Sequence, residues 1–120
     1  MELWTPNTKL ITGQQSGPNI GDPIQLNAIT PTLVLPARQV TGTGGWRRGL
    51  MFQNQDSIDI YWSENSAVIA GGVGFAGGKR GWILKGNQTV PVFYFGLGNG
   101  PVYAIAVSGT PWLQFGELVG

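Results

Sequence analysis

The chain contains no cysteine and no histidine, and these two gaps remove a large share of protein chemistry. Without cysteine there is no disulfide, no thiolate nucleophile and no soft metal ligand, and redox chemistry says nothing about compartment. Without histidine the chain loses the side chain that titrates nearest neutral pH, the commonest general base and the imidazole metal ligand. Charge is scarce as well. Asp, Glu, Lys and Arg make up 11% of the residues, against roughly 25% in an ordinary globular chain. A surface so poor in charge is covered by Gly, Asn, Gln, Ser and Thr or is buried against partner subunits, and burial is the expectation here.

Long apolar runs are missing too. No segment approaches the roughly 20 apolar residues of a membrane span, and MELWTPNTKL lacks a basic region followed by an apolar run, so neither a membrane-spanning nor a classically secreted chain is expected. The net charge is +1, with the basic residues scattered except at Arg47-Arg48 and Lys79-Arg80. Such small, separated footprints do not amount to a polyanion-binding stripe, and no dedicated nucleic-acid binding is expected. Helical periodicity with caps occurs nowhere.

What is present is a series of short apolar runs separated by glycine, proline and asparagine. At 120 residues the chain has the length for one domain around one core. Residues 1–30 hold scattered prolines and glycines and no regular period, which reads as an extended N-terminal arm; Trp4, Leu10, Ile11 and Ile20 are its candidate anchors on a neighbouring subunit. Residues 31–120 read as the folded domain. Deleting the arm is expected to leave that domain folded and to abolish its binding to partner subunits.

Within the domain, Trp46 to Trp62 is the stretch that predicts the core. Leu50 and Phe52 share one parity, and Ile58, Ile60 and Trp62 share another across the polar turn Asn54-Gln55-Asp56, so the stretch is expected to form a hairpin with these five residues inward. Arg47, Arg48, Asp59 and Tyr61 are expected outward. Pro36 after Thr32–Leu35 and Pro91 inside Gln88–Phe95 argue for edge positions or strand ends, because proline cannot donate to a ladder. Ser66–Ala70 and Lys79–Lys85 read as further short strands, and Val102–Val107 and Thr110–Leu118 as a final hairpin around Ser108-Gly109. About eight short strands with Gly-rich turns predict an all-β fold, an antiparallel β-sandwich or jelly roll.

Reactive constellations are hard to assemble from this inventory. Asp56, Asp59 and Glu64 are close in sequence but read as solvated carboxylates in or beside turns, and nothing in their spacing requires a glycosidase-like pair. No enzyme is expected, and no cofactor. Asn54, Asp56 and Asp59 are the sole candidate oxygen cluster for calcium and lack the EF-hand spacing, so no metal is expected. The glycine run Gly71–Gly78 matches neither phosphate-binding pattern and reads as a loop with Phe75 at its tip. Tryptophans invite a sugar-stacking reading, but Trp46, Trp62, Trp82 and Trp112 fall in or beside strands, where packing is the plainer account. Trp4 and Trp112 are the freest of the tryptophans and suit interface anchoring.

The run Arg48-Gly49-Leu50-Met51-Phe52-Gln53-Asn54, the strand Ile58-Asp59-Ile60-Tyr61-Trp62 and the late segment Val102-Tyr103-Ala104-Ile105-Ala106-Val107-Ser108-Gly109-Thr110 leading to Glu117 together resemble a module of small tailed-bacteriophage virion proteins. The likeness spans roughly Arg38 to Glu117 and leaves the arm unassigned; Trp62 and Trp82 are heavier than the pattern. It implies a non-enzymatic β-sandwich that serves as a capsid decoration or cement protein, a head-fibre base or a tail component, without choosing among them. The implied partners are the major capsid protein or other virion proteins and further copies of the chain, a trimer being favoured, in a particle assembled in the host cytoplasm. Candidate subunit contacts are Trp4, Leu10, Ile11, Ile20, Arg47, Arg48, Tyr61, Phe75, Lys79, Arg80 and Trp112. A carbohydrate-binding module on a virion surface is the competing reading, and a tail or connector component the third.

Overall fold

Nine strands and no helix are formed by the residues that the computed structural model describes, 8–14, 20–38, 45–70, 81–95 and 98–120. In chain order these are β1 (Lys9–Thr12), β2 (Ile24–Gln25), β3 (Thr32–Leu35), β4 (Arg47–Gln53), β5 (Ile60–Ser63), β6 (Trp82–Leu84), β7 (Val92–Phe95), β8 (Val102–Ala106) and β9 (Trp112–Val119). Every strand pairing is antiparallel. One sheet runs β1-β9-β4-β7 with β2 also on β9, and the other runs β3-β8-β5-β6.

The pairings nest. β1 and β2 lie on β9, β3 on β8, β4 on β7 and β5 on β6, so the chain behaves as one long antiparallel ribbon folded over itself, with its tip between β5 and β6. Contacts β9–β4 and β8–β5 then close the two sheets. This is the wrapping of a jelly roll, one of the two architectures expected from the sequence. β3 and β7 each have a single neighbour, in keeping with the prolines beside them.

Nesting also corrects the expected hairpins. Trp46–Trp62 is not a hairpin: β4 belongs to one sheet and β5 to the other, and Asn54 to Asp59 form an arch between them. The segment around Ser108-Gly109 likewise carries the chain from one sheet to the other. An alternating pattern specifies one buried face and does not say which strand lies beside it, so a strand pair read from local pattern can equally be two halves of an arch. Ser66–Ala70 forms no strand of the two sheets, and β6 is shorter than the expected Lys79–Lys85.

Between the sheets lie Leu26, Leu35, Leu50, Phe52, Ile60, Trp62, Leu84, Val102, Leu113 and Phe115, all nearly sealed, with Ile58 packed partly buried against them. Four of the five inward residues expected from Trp46–Trp62 are thus core and the fifth lines it. Phe52 and Tyr94 from one sheet meet Trp62 from the other in an aromatic triangle, with centroids 5.2 Å (Phe52–Trp62), 4.8 Å (Trp62–Tyr94) and 6.1 Å (Phe52–Tyr94) apart. Tilted and edge contacts of this kind add to the area each ring buries.

The segment expected as an arm is sandwich over its described residues. β1 covers the second half of β9 and β2 its start, so the two act as one interrupted strand, and Leu26 is core. The interruption is a tight excursion in which Gly21 N–H donates to the Gln14 carbonyl at 2.8 Å and Gln14 N–H to that of Asp22 at 3.0 Å. Gly13 turns the chain there with φ 73°, and a Cβ at that position would collide with the Gly21 carbonyl. Scattered apolar residues hid these short strands, since neither is long enough to show a period.

Candidate functional site

Charge inside the sandwich gathers at one end. A bulge in β4 lets Arg47 pair with Val119 and Gly49 with Leu118, leaving Arg48 as the extra residue. The bulge shifts the alternation, so that Arg47 joins the inward parity of Leu50 and Phe52 instead of the outward parity of Gly49 and Met51. There its Nε donates to Glu117 Oε2 at 3.0 Å, its Nη2 to the Pro36 carbonyl at 3.1 Å and its Nη1 to the Gly100 carbonyl. Arg38 donates to the same carboxylate, Nη2 to Oε1 at 2.6 Å and Nε to Oε2 at 3.3 Å. Burial, the largest single influence, pushes the Glu117 carboxyl up, but the hydrogen bonds and charges of Arg38 and Arg47 together outweigh it and hold the group below its ordinary value. This triad ties both sheets and the loop before β8 together. Arg47, expected as an outward subunit contact, is an internal strut with no surface to offer.

A second polar knot closes the other end. Asn54 is fully buried; its Nδ2 donates to the carbonyls of Ile58 at 2.7 Å and Leu84 at 3.0 Å, and its Oδ1 accepts from Asp56 N–H at 3.2 Å. Asp59 accepts from Gly86 N–H at 2.9 Å. The three residues considered for calcium therefore point their oxygens at different backbone groups, and no group of three or more metal-ligating side chains occurs among the described residues.

Several of the side chains that the two sheets turn outward are apolar and exposed. On the outer face of β3-β8-β5-β6, Leu33 stands opposite Tyr103, and Tyr61 lies between Ile105 and Ile83. Leu33, Ile83 and the neighbouring Val107 are 45%, 40% and 50% exposed. On the outward side of the other sheet a row runs Leu10, Leu118, Gly49, Phe95 and a second runs Thr12, Gly116, Met51, Phe93, with Leu10, Phe93 and Phe95 exposed and Leu118, Gly49, Gly116 and Met51 buried. Gly49 leaves room for the Phe95 ring: a Cβ there would lie 2.9 Å from its Cδ1. Phe93 and Phe95 stack at 6.3 Å, both partly exposed.

Toward the Asn54 end this second face changes character. Its rows become Gln53 opposite Gln114 and Gln25 opposite Trp112, and half-exposed Trp112 borders an open depression of about 310 Å³ lined by Pro23, Gln55, Asp56, Trp112 and Gln114.

The sequence-derived contact residues do not form one patch. Leu10 and Trp112 lie on one outer face, Tyr61 on the other, Ile20 projects from the excursion after β1 and Ile11 is partly buried beside Glu117. Arg48 is partly buried, and its Nε is sealed without an acceptor among the described residues. Trp4, Phe75, Lys79 and Arg80 lie outside the described residues. Leu33, Ile83, Phe93 and Phe95 were missed. Their signal was present: Thr32–Leu35, Trp82–Leu84 and Val92–Phe95 carry apolar residues at both parities, which means both faces of a strand seek cover.

No protein-family model, curated protein or solved structure matches the chain.

Proposed function

We propose that the chain is a non-enzymatic structural protein of a virion, a capsid decoration or cement protein that bridges neighbouring subunits. The observation that carries the reading is the apolar outer face of β3-β8-β5-β6, with Leu33, Ile83 and Val107 presented on a bed of Tyr61, Tyr103 and Ile105. Contiguous apolar surface in a chain this poor in charge favours cover by protein. Its mechanism is burial across a seam, worth about 25 cal/mol per Å² before ordering costs are subtracted. Two internal polar clamps hold the sandwich stiff, so little ordering is left to do on docking.

The sequence resemblance supplies the virion context, and the jelly-roll wrapping agrees with it by analogy, since that architecture recurs in viral capsids. Association of copies through this face is part of the same reading. Sedimentation velocity tests it with the paired change Leu33→Lys and Ile83→Lys. Wild-type protein is expected to sediment as an oligomer or with capsid, and the variant as a folded monomer with an unchanged far-UV spectrum. Identical sedimentation of the two proteins counts against the reading.

A further inference from the structure

We propose that the depression beside Trp112 is a binding site for a neutral saccharide, a role independent of the structural reading above. Elsewhere the outward rows of this sheet are mostly apolar, but here they turn to amides around one aromatic ring. Trp112 opens β9 and pairs with Gln25, while the preceding Pro111 is buried and its carbonyl accepts from Leu26 N–H at 2.8 Å. The indole is therefore a platform on a fixed strand and not a loose loop tip. One face of a pyranose ring carries mostly C–H groups and can lie flat on such an indole, as apolar surface covering apolar surface.

The hydroxyls around that ring need groups that both donate and accept. Gln55 and Gln114 are exposed amides whose side chains hold no hydrogen bond among the described residues, and each offers a carbonyl oxygen and an NH₂. Asp56 is fixed by its backbone: its N–H donates to Asn54 Oδ1 at 3.2 Å and its carbonyl accepts from Asn87 N–H at 2.7 Å. One carboxylate oxygen accepts from Ser57 N–H at 2.8 Å, which leaves the other for a ligand hydroxyl. Pro23 is held against this group by Gln14, whose Nε2 donates to its carbonyl at 3.1 Å.

Charge selects the class of ligand. Among the described residues no lysine or arginine lines the depression, and the single charge there is the Asp56 carboxylate, which repels phosphate, sulfate and sialic acid. Its volume of about 310 Å³ sits at the small end of ligand sites, which begin near 300 Å³, and suits a short stretch of a neutral glycan.

The test follows the indole N–H resonance of Trp112, assigned by its loss in Trp112→Phe, while the full chain is titrated with neutral gluco-, galacto- and manno-oligosaccharides and a sialylated control. Saturable shifts are expected with at least one neutral series and not with the control. Asp56→Ala and Gln114→Ala should each weaken that binding about tenfold, a difference of 1.4 kcal/mol, and Trp112→Ala, which has no indole and is followed instead by the side-chain amide resonances of Gln55 and Gln114, should abolish it while the remaining amide spectrum stays folded. No saturable shift with any neutral series overturns the proposal, as does equal binding by Trp112→Ala. Neither result bears on sedimentation with capsid, so the two readings fail separately.

Discussion

The Nε of Arg47 lies 3.0 Å from Oε2 of Glu117, and the two side chains are 1% and 5% exposed. Leaving one member of such a pair without the other strands a charge away from water. Glu117→Gln removes the negative charge from between two guanidinium groups and is expected to cost about 3 kcal/mol or more in urea unfolding. Arg38→Ala should cost less, about 1 kcal/mol, because Arg38 keeps partial access to water.

The same pair sets a pH dependence. Glu117 has its folded-state value depressed below the ordinary 4.5. Its contribution is therefore fully present above that value and is lost as pH falls through the lower folded value. Unfolding free energy measured from neutrality downward should hold level for this group and then decline below about pH 4.5. Glu117→Gln should show a shallower acid decline, and equal slopes for the two proteins would contradict the assignment.

Asn54 holds the opposite end of the sandwich. Asn54→Ala leaves the carbonyls of Ile58 and Leu84 without their donor in a sealed site and is expected to cost about 2 kcal/mol. Asn54→Asp keeps the shape but puts a carboxylate against two carbonyls, so it should be worse. A thermal melt ranking wild type above Asn54→Ala above Asn54→Asp checks both.

Leu26 decides whether residues 1–30 can be dispensed with. It sits in the core at 1% exposure, between a strand on β9 and the start of the second sheet. Leu26→Ala is expected to cost about 2–4 kcal/mol, and removal of residues 1–30 to give an unfolded or aggregating chain by circular dichroism. A truncated protein with native stability would restore the arm.

Much of the sandwich can be read from the sequence. The parity of Leu50, Phe52, Ile60 and Trp62 gives the core, and the prolines beside β3 and β7 give two edges. The arches are not legible, because Asn54-Gln55-Asp56 is equally good turn chemistry for a hairpin or for a crossing between sheets. Arg47 is misplaced by simple alternation because a one-residue bulge moves it inward, and nothing local to Trp46-Arg47-Arg48 announces a partner seventy residues away in Glu117. Of the open surface, Trp112 and Tyr61 are visible as candidates. Gln55, Asp56 and Gln114 acquire meaning when the β4–β5 arch and β9 are brought together.

The central claim is that this chain is a repeated structural part of a virion. Quantitative mass spectrometry of virus particles purified from the source of the sequence measures the number of copies directly. A cement role predicts copies in the hundreds, on the scale of the capsid subunits themselves. A dozen or fewer would move the chain to the connector or tail, and its absence from the particle would contradict the account outright.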